Sequence, residues 1–199
     1  MNIPSIINCF IRKKFNIGVL RNYPYRTSTE FAKRYFKDKK ITCIEIGTFC
    51  GGNALNTLQK LPTIEKIYLI DPWEEYEDYK EKEKTTKNLL NAYQKTIKVL
   101  KKYEDKTIFI KKYSDDAFDD IKEKVDFIYI DGKHSYDFVK KDMVNYWEKL
   151  KDGGIMAGHD IDLPDVSKAF CEFVNEKDIT NSIISIMDWI IIKGETKLI

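Results

Sequence analysis

The chain contains two histidines, His134 and His159, and each stands within three residues of an aspartate that closes an apolar run, in "VDFIYIDGKHSYD" and "GIMAGHD". An imidazole with an unperturbed pKa near 6.5 can take a proton from a hydroxyl or bind a metal ion. The neighbouring acids, Asp131 and Asp160, can accept hydrogen bonds or hold a hard cation. His134 is thus a candidate general base. The plainer alternative is a histidine that caps the helix opening at Ser135, with Tyr136 and Asp137 as packing and capping residues.

A second cluster lies in "IEIGTFCGGNAL", residues 44 to 55. Gly47, Gly51 and Gly52 let the chain turn tightly and open main-chain N–H groups at a helix N-terminus to a ligand. The dinucleotide fingerprint needs a glycine at position 49, where this chain has Phe49. Glu45 puts negative charge where a phosphate would be unwelcome, so a ligand carrying an ammonium and a sulfonium suits the place better. A purely structural strand-to-helix turn is the alternative. Asp71 ends the next apolar run, where a carboxylate can accept both hydroxyls of a ribose. Ser114 and Asp115 follow the third run, in place to meet a purine ring, although turn chemistry alone also accounts for them.

These residues need a scaffold that aligns the ends of the runs. "ITCIEI" (41–46), "KIYLID" (66–71), "TIFIKK" (107–112), "VDFIYID" (125–131) and "GIMAGHD" (154–160) read as strands, separated by helical spacing such as Ala54, Leu55, Leu58, Leu61 and Val139, Met143, Tyr146, Trp147, Leu150. Near-continuous apolar strands alternating with helices imply parallel pairing covered on both faces. The expected class is α/β, a Rossmann-like doubly wound sheet with a C-terminal antiparallel strand drawn from "NSIISIMDWIIIKG". "TSTE" (27–30) suggests Thr27 as an N-cap, with Phe31, Tyr35 and Phe36 facing the sheet, and "KDGG" (151–154) suggests a glycine C-cap. A helix follows Pro164. Residues 74–106 form a long insertion whose first half reads as a solvated helix laced with opposite charges. Leu89, Leu90, Tyr93, Ile97 and Leu100 read as its packed face. Trp73 at its base leaves a lid over a ligand as the sharper alternative.

At 199 residues the chain fits one domain, here 26–199, preceded by a capping segment 1–25. Apolar content of 43% and charged content of 33% argue for a folded chain. The 34 basic and 32 acidic residues are interleaved, so no nucleic-acid partner is expected. Cys9, Cys43, Cys50 and Cys171 show no C-x-x-C spacing and read as small buried residues in a reducing, cytoplasmic setting. The N-terminal basic cluster follows its apolar run, the wrong order for a secretory signal. No run reaches the roughly 20 apolar residues of a membrane span. Oligomeric state stays open, a homo-oligomer included.

Together, "EIGTFCGGNA", "YLIDPW", "DFIYIDGKHSYDFVKKD" and "LKDGGIMAGHD" resemble the class I methyltransferases that use S-adenosyl-L-methionine. The resemblance is to a small-molecule O-methyltransferase group that includes macrolide-sugar methyltransferases and cephalosporin-hydroxylase-like proteins, and it covers about residues 25 to 195. It implies that Glu45, Gly47 and Gly51 meet the methionine end of the cofactor, Asp71 the ribose, and Ser114 with Asp115 the adenine. Thr48, Trp73 and Asp131 are counted among the cofactor-binding residues. It also implies magnesium (Mg2+) or another divalent metal on Asp131, His159 and Asp160. His159 departs from the oxygen ligand that magnesium prefers, and two carboxylates with a histidine equally suit manganese or iron. Asp131, His134 and Asp160 are the implied catalytic residues, acting on a hydroxyl of a small molecule, sugar or glycan. The alternatives are a non-catalytic cofactor-binding scaffold and a nicotinamide-dependent oxidoreductase.

Overall fold

Each apolar run becomes a strand because helices cover both of its faces. The computed structural model describes residues 26–74, 86–185 and 187–194. The expected capping segment 1–25 and most of the charged half of the insertion lie outside these residues. Strands β1 (Ile41–Ile46), β2 (Ile64–Ile70), β3 (Thr107–Ile110), β4 (Val125–Ile130) and β5 (Leu150–Gly158) run parallel in the order β3-β2-β1-β4-β5. Beyond β5, β7 (Asp188–Ile192) and then β6 (Ser182–Ser185) pair antiparallel. The result is the Rossmann-like doubly wound sheet with an antiparallel C-terminal edge.

Alternation along the strands divides the core in two. Cys43, Leu69, Phe127, Ala157 and Ile190 face α1 (Thr27–Phe36), α2 (Gly52–Lys60) and α3 (Thr86–Leu100). Ile44, Ile70, Ile128, Met156 and Trp189 face α4 (Ser114–Ala117), α5 (Tyr136–Trp147) and α6 (Pro164–Glu176). The strand order reverses between β1 and β4. Their diverging connections open a crevice at the carboxyl ends there.

Four local expectations are corrected. Arg26, not Thr27, is the N-cap of α1, and it makes no side-chain cap bond. Instead the Ser28 N–H and hydroxyl both donate to Asp188 Oδ2, each at 2.8 Å, so a distant carboxylate satisfies the helix start. The glycines of "KDGG" lie within β5, because α5 already ends at Trp147. Lys193 Nζ donates to the carbonyls of Trp147 and Leu150, taking over the capping role. Gly153 has φ +72, and a Cβ on Gly154 would meet Leu150 Cδ1 at 2.7 Å, so these glycines serve an irregular strand start. On α3, Leu90 and Ile97 are exposed, while Leu89, Ala92, Thr96 and Leu100 form the buried stripe. Cys171 is exposed and Cys50 half-buried; among the described cysteines only Cys43 is buried, and all three are free thiols. No helix among the described residues is long and apolar enough to cross a membrane.

Candidate active site

Strand register aligns the residues that sequence spacing scatters. Ile110, Ile70, Ile46, Ile130 and Gly158 are paired across five neighbouring strands. The ladder continues one residue further: Asp71 N–H donates to Ile110 O, Gly47 to Ile70 O, Asp131 to Ile46 O and His159 to Ile130 O. Asp71, Gly47, Asp131 and His159 therefore emerge at one level on the carboxyl rim. Gly47 (φ +85) and Asp131 flank the strand-order reversal, where a Cβ on Gly47 would lie 2.0 Å from Asp131 O. Only glycine permits that approach.

The loop after β1 is held by the rim acid beside it. Phe49 N–H donates to Asp71 Oδ2 at 2.9 Å, and Trp73 N–H donates to Oδ1 at 2.7 Å. Phe49 (φ 46) and Trp73 (φ 47) are both non-glycine residues in the left-handed region, so the acid stabilises two strained turns. The Phe49 carbonyl accepts from Trp73 Nε1 and from Thr96 Oγ1, each at 2.7 Å. Thr96 carries no motif, and only its place on the buried stripe of α3 could have drawn attention to it.

Glu45 is buried under this loop. Its Oε2 accepts from Asn53 Nδ2 at 3.0 Å, while Oε1 has no partner among the described residues. Burial pushes its carboxyl up to about 8, with the Asn53 bond pulling the other way and Asp131 adding to the rise. Thr48 Oγ1 and Asn53 Oδ1 are likewise buried without a partner among the described residues. Orphaned polar atoms beneath a glycine turn fit a polar ligand group. A cationic group suits Glu45 in particular, because it would restore the charged carboxylate.

Across the reversal, Asp131, His134 and Asp160 gather with potential ligand atoms all within 4.8 Å of one another. His134 Nε2 lies 2.9 Å from Asp160 Oδ2 and 3.5 Å from Asp131 Oδ1. Hydrogen bonds to Asp131 and Asp160 raise the imidazole to about 9. Burial alone would raise the Asp160 carboxyl, but bonds from His134 and His159 outweigh it and hold that group well below the usual range. Asp160 itself has φ 57, a left-handed conformation that turns its carboxylate into this cluster. Ser135 is the N-cap of α5 and forms no side-chain cap bond, so His134 is directed to the two acids rather than to the helix.

The metal-spaced trio includes His134 where the sequence suggested His159. His159 Nδ1 is bonded to Asp160 Oδ1 at 2.8 Å, and its Nε2 lies 4.0 Å from Asp188 Oδ1, so this ring stands behind Asp160. Asp115 is also turned away: it is exposed and engaged by Lys141 at 2.6 Å and Asn145 at 3.2 Å. Ser114 starts α4, and its carbonyl accepts from Tyr146 OH at 2.7 Å. Nearby Asp142 is buried, and burial pushes it up to about 7 against a bond with Ser114. Sequence reasoning also missed Arg26, whose Nη2 donates to Asp131 Oδ2 at 3.0 Å.

The profile of a family described as "Methyltransferase domain" matches residues 44–161, from within β1 to just past β5. The chain belongs to this family and is a class I methyltransferase dependent on S-adenosyl-L-methionine. No curated protein matches it in sequence. Among solved structures it is similar to a candidate caffeoyl-CoA O-methyltransferase from Staphylococcus aureus, with TM-score 0.64 and 16% identity, over 97% of this chain and 93% of that one. It is also similar to a calicheamicin methyltransferase, with TM-score 0.67 and 11% identity, over 98% and 95% of the two chains. A third is the O-methyltransferase TomG from Streptomyces achromogenes, involved in tomaymycin synthesis and solved with the cofactor, with TM-score 0.61 and 11% identity, over 98% and 92%. At such identities the likeness is one of fold.

Proposed function

We propose that this methyltransferase acts on oxygen, moving the methyl group of S-adenosyl-L-methionine to a hydroxyl of a small molecule, sugar or glycan. The observation that carries this reading is the Asp131–His134–Asp160 cluster next to the Gly47 turn. Methyl transfer from a sulfonium is an in-line displacement that neutralises charge. The protein must therefore align an oxygen with the methyl group and make that oxygen more anionic. An imidazole between two carboxylates at the reversal point is suited to removing the hydroxyl proton. O-methyltransferases among the similar folds lend support.

In this reading Glu45, Gly47, Thr48 and Gly51 serve the methionine end, and Asp71 with Trp73 the ribose. Ser114 serves the adenine end, while Asp115 is engaged by Lys141 and Asn145. Asp131 and Asp160 would hold a divalent cation through their carboxylate oxygens, a donor type that fits magnesium or manganese, with the His134 imidazole beside them left uncoordinated. Such an ion, when bound, supplies Lewis-acid polarisation of the acceptor oxygen. His134 would receive the proton.

The test is methyl release from the cofactor across a library of hydroxylated compounds, with and without EDTA. Turnover with at least one hydroxyl acceptor is the expected result, and a loss with EDTA that Mg2+ or Mn2+ restores would assign the cation. Cofactor binding without any turnover would favour a non-catalytic scaffold. Asp71→Ala is expected to weaken cofactor binding by about 1.5–3 kcal/mol, since it removes charged acceptors. It also frees the Phe49 and Trp73 amides. Calorimetric titration of S-adenosylhomocysteine measures the effect, and an unchanged affinity would place the ribose elsewhere.

A further inference from the structure

We propose that Arg26 binds the α-carboxylate at the methionine end of the cofactor, an assignment that rests on the reading of the site given above. The guanidinium uses one arm on Asp131 Oδ2 at 3.0 Å, which fixes its orientation at the strand-order reversal. Its Nε–H is buried and has no acceptor among the described residues. Buried guanidinium donors are ordinarily paired, so this one calls for a partner other than the described residues, and a ligand at the rim can supply it.

The surroundings specify that partner. Arg26 Cζ lies 5.9 Å from the centroid of the Tyr129 ring, and the Tyr129 hydroxyl is also buried without a partner among the described residues. Tyr129 is the cross-strand neighbour of Glu45, whose Oε1 is the next orphaned atom along the same face. A cation with a spare N–H, a spare hydroxyl and a carboxylate with a spare oxygen thus follow one another beside Gly47. An α-amino-acid zwitterion offers the complement, an ammonium for Glu45 and a carboxylate for the arginine. The nucleoside half of the cofactor carries neither charge. Arg26 immediately precedes α1, and no glycine loop or strand-end pattern flags it.

Two ligands separate this role from a general one: S-adenosylhomocysteine carries the amino-acid end, whereas 5′-methylthioadenosine has the nucleoside and thioether without it. Calorimetry on wild type, Arg26→Gln and Arg26→Lys is the experiment. Arg26→Gln should weaken S-adenosylhomocysteine by about 10-fold or more while leaving 5′-methylthioadenosine within about twofold. Arg26→Lys should recover part of the loss, because it keeps the charge and gives up the planar fork. Retained binding of 5′-methylthioadenosine also shows that the variant is folded. Equal affinity of wild type and Arg26→Gln for S-adenosylhomocysteine would overturn the assignment, as would parallel loss of both ligands. A wild-type protein that binds neither would overturn the cofactor reading of this site, and the assignment with it.

Discussion

His134→Ala is expected to slow methyl transfer by about 10²–10⁴-fold, the usual contribution of a positioned base, with affinity for S-adenosylhomocysteine nearly unchanged. The imidazole is 43% exposed and reaches Asp160 at 2.9 Å, so it is open to an acceptor yet held in place. Its neighbours raise it to about 9, which leaves it protonated at neutral pH in the absence of other ligands. The neutral form that can take a proton becomes abundant only as pH approaches that value, so turnover without added metal should climb toward pH 9. The His134→Ala variant should lack that rise. The linkage to stability has the opposite sense: the native pKa is raised, so the ion pairs contribute fully below about 6.5 and are lost as pH rises through about 9. Proportional loss of cofactor affinity and turnover would instead mark His134 as a structural residue.

Glu45→Gln should separate stability from binding. The carboxyl is buried and raised to about 8, so above its ordinary value the unfolded chain gives up a proton that the folded chain keeps. Stability conferred at this position therefore falls as pH climbs from about 4.5 to 8, and glutamine removes the dependence. At pH 8 the variant should be more stable, on the order of 2 kcal/mol, in urea titrations. The same change removes the anion expected to meet the cofactor ammonium, so S-adenosylhomocysteine should bind roughly 10-fold or more weakly. A variant that is both less stable and unchanged in affinity would show that Glu45 is a packing residue.

This opposition has a physical basis. A buried carboxylate with an unpaired oxygen disfavours the empty fold and is compensated when a cation arrives. The Asp71 arrangement follows similar logic: two left-handed residues, Phe49 and Trp73, are held by hydrogen bonds to one acid, so the loop is shaped before a ligand enters.

The sequence alone determined the layer order, because strand-length apolar runs alternating with helical spacing have few ways to bury both faces of a sheet. It also singled out Glu45, Gly47, Asp71, Asp131, His134 and Asp160 as candidates, since polar residues at the ends of buried strands must emerge on one rim. Tertiary structure decided which of them touch. His134 and His159 each stand close to a strand-end acid, yet the left-handed turn at Asp160 and the loop to Ser135 bring His134 into the acid cluster and leave His159 behind it. Asp115 is expected at the adenine, with turn chemistry as the alternative, but it is exposed and bonded to Lys141 and Asn145 of α5. Arg26, Thr96 and Asp188 left no local signal, because their partners lie on other elements: Asp131 for Arg26, the Phe49 carbonyl for Thr96, and Ser28 for Asp188. Periodicity reports which face a residue occupies, whereas pairing across the rim depends on strand register and loop conformation, which emerge only when distant segments pack.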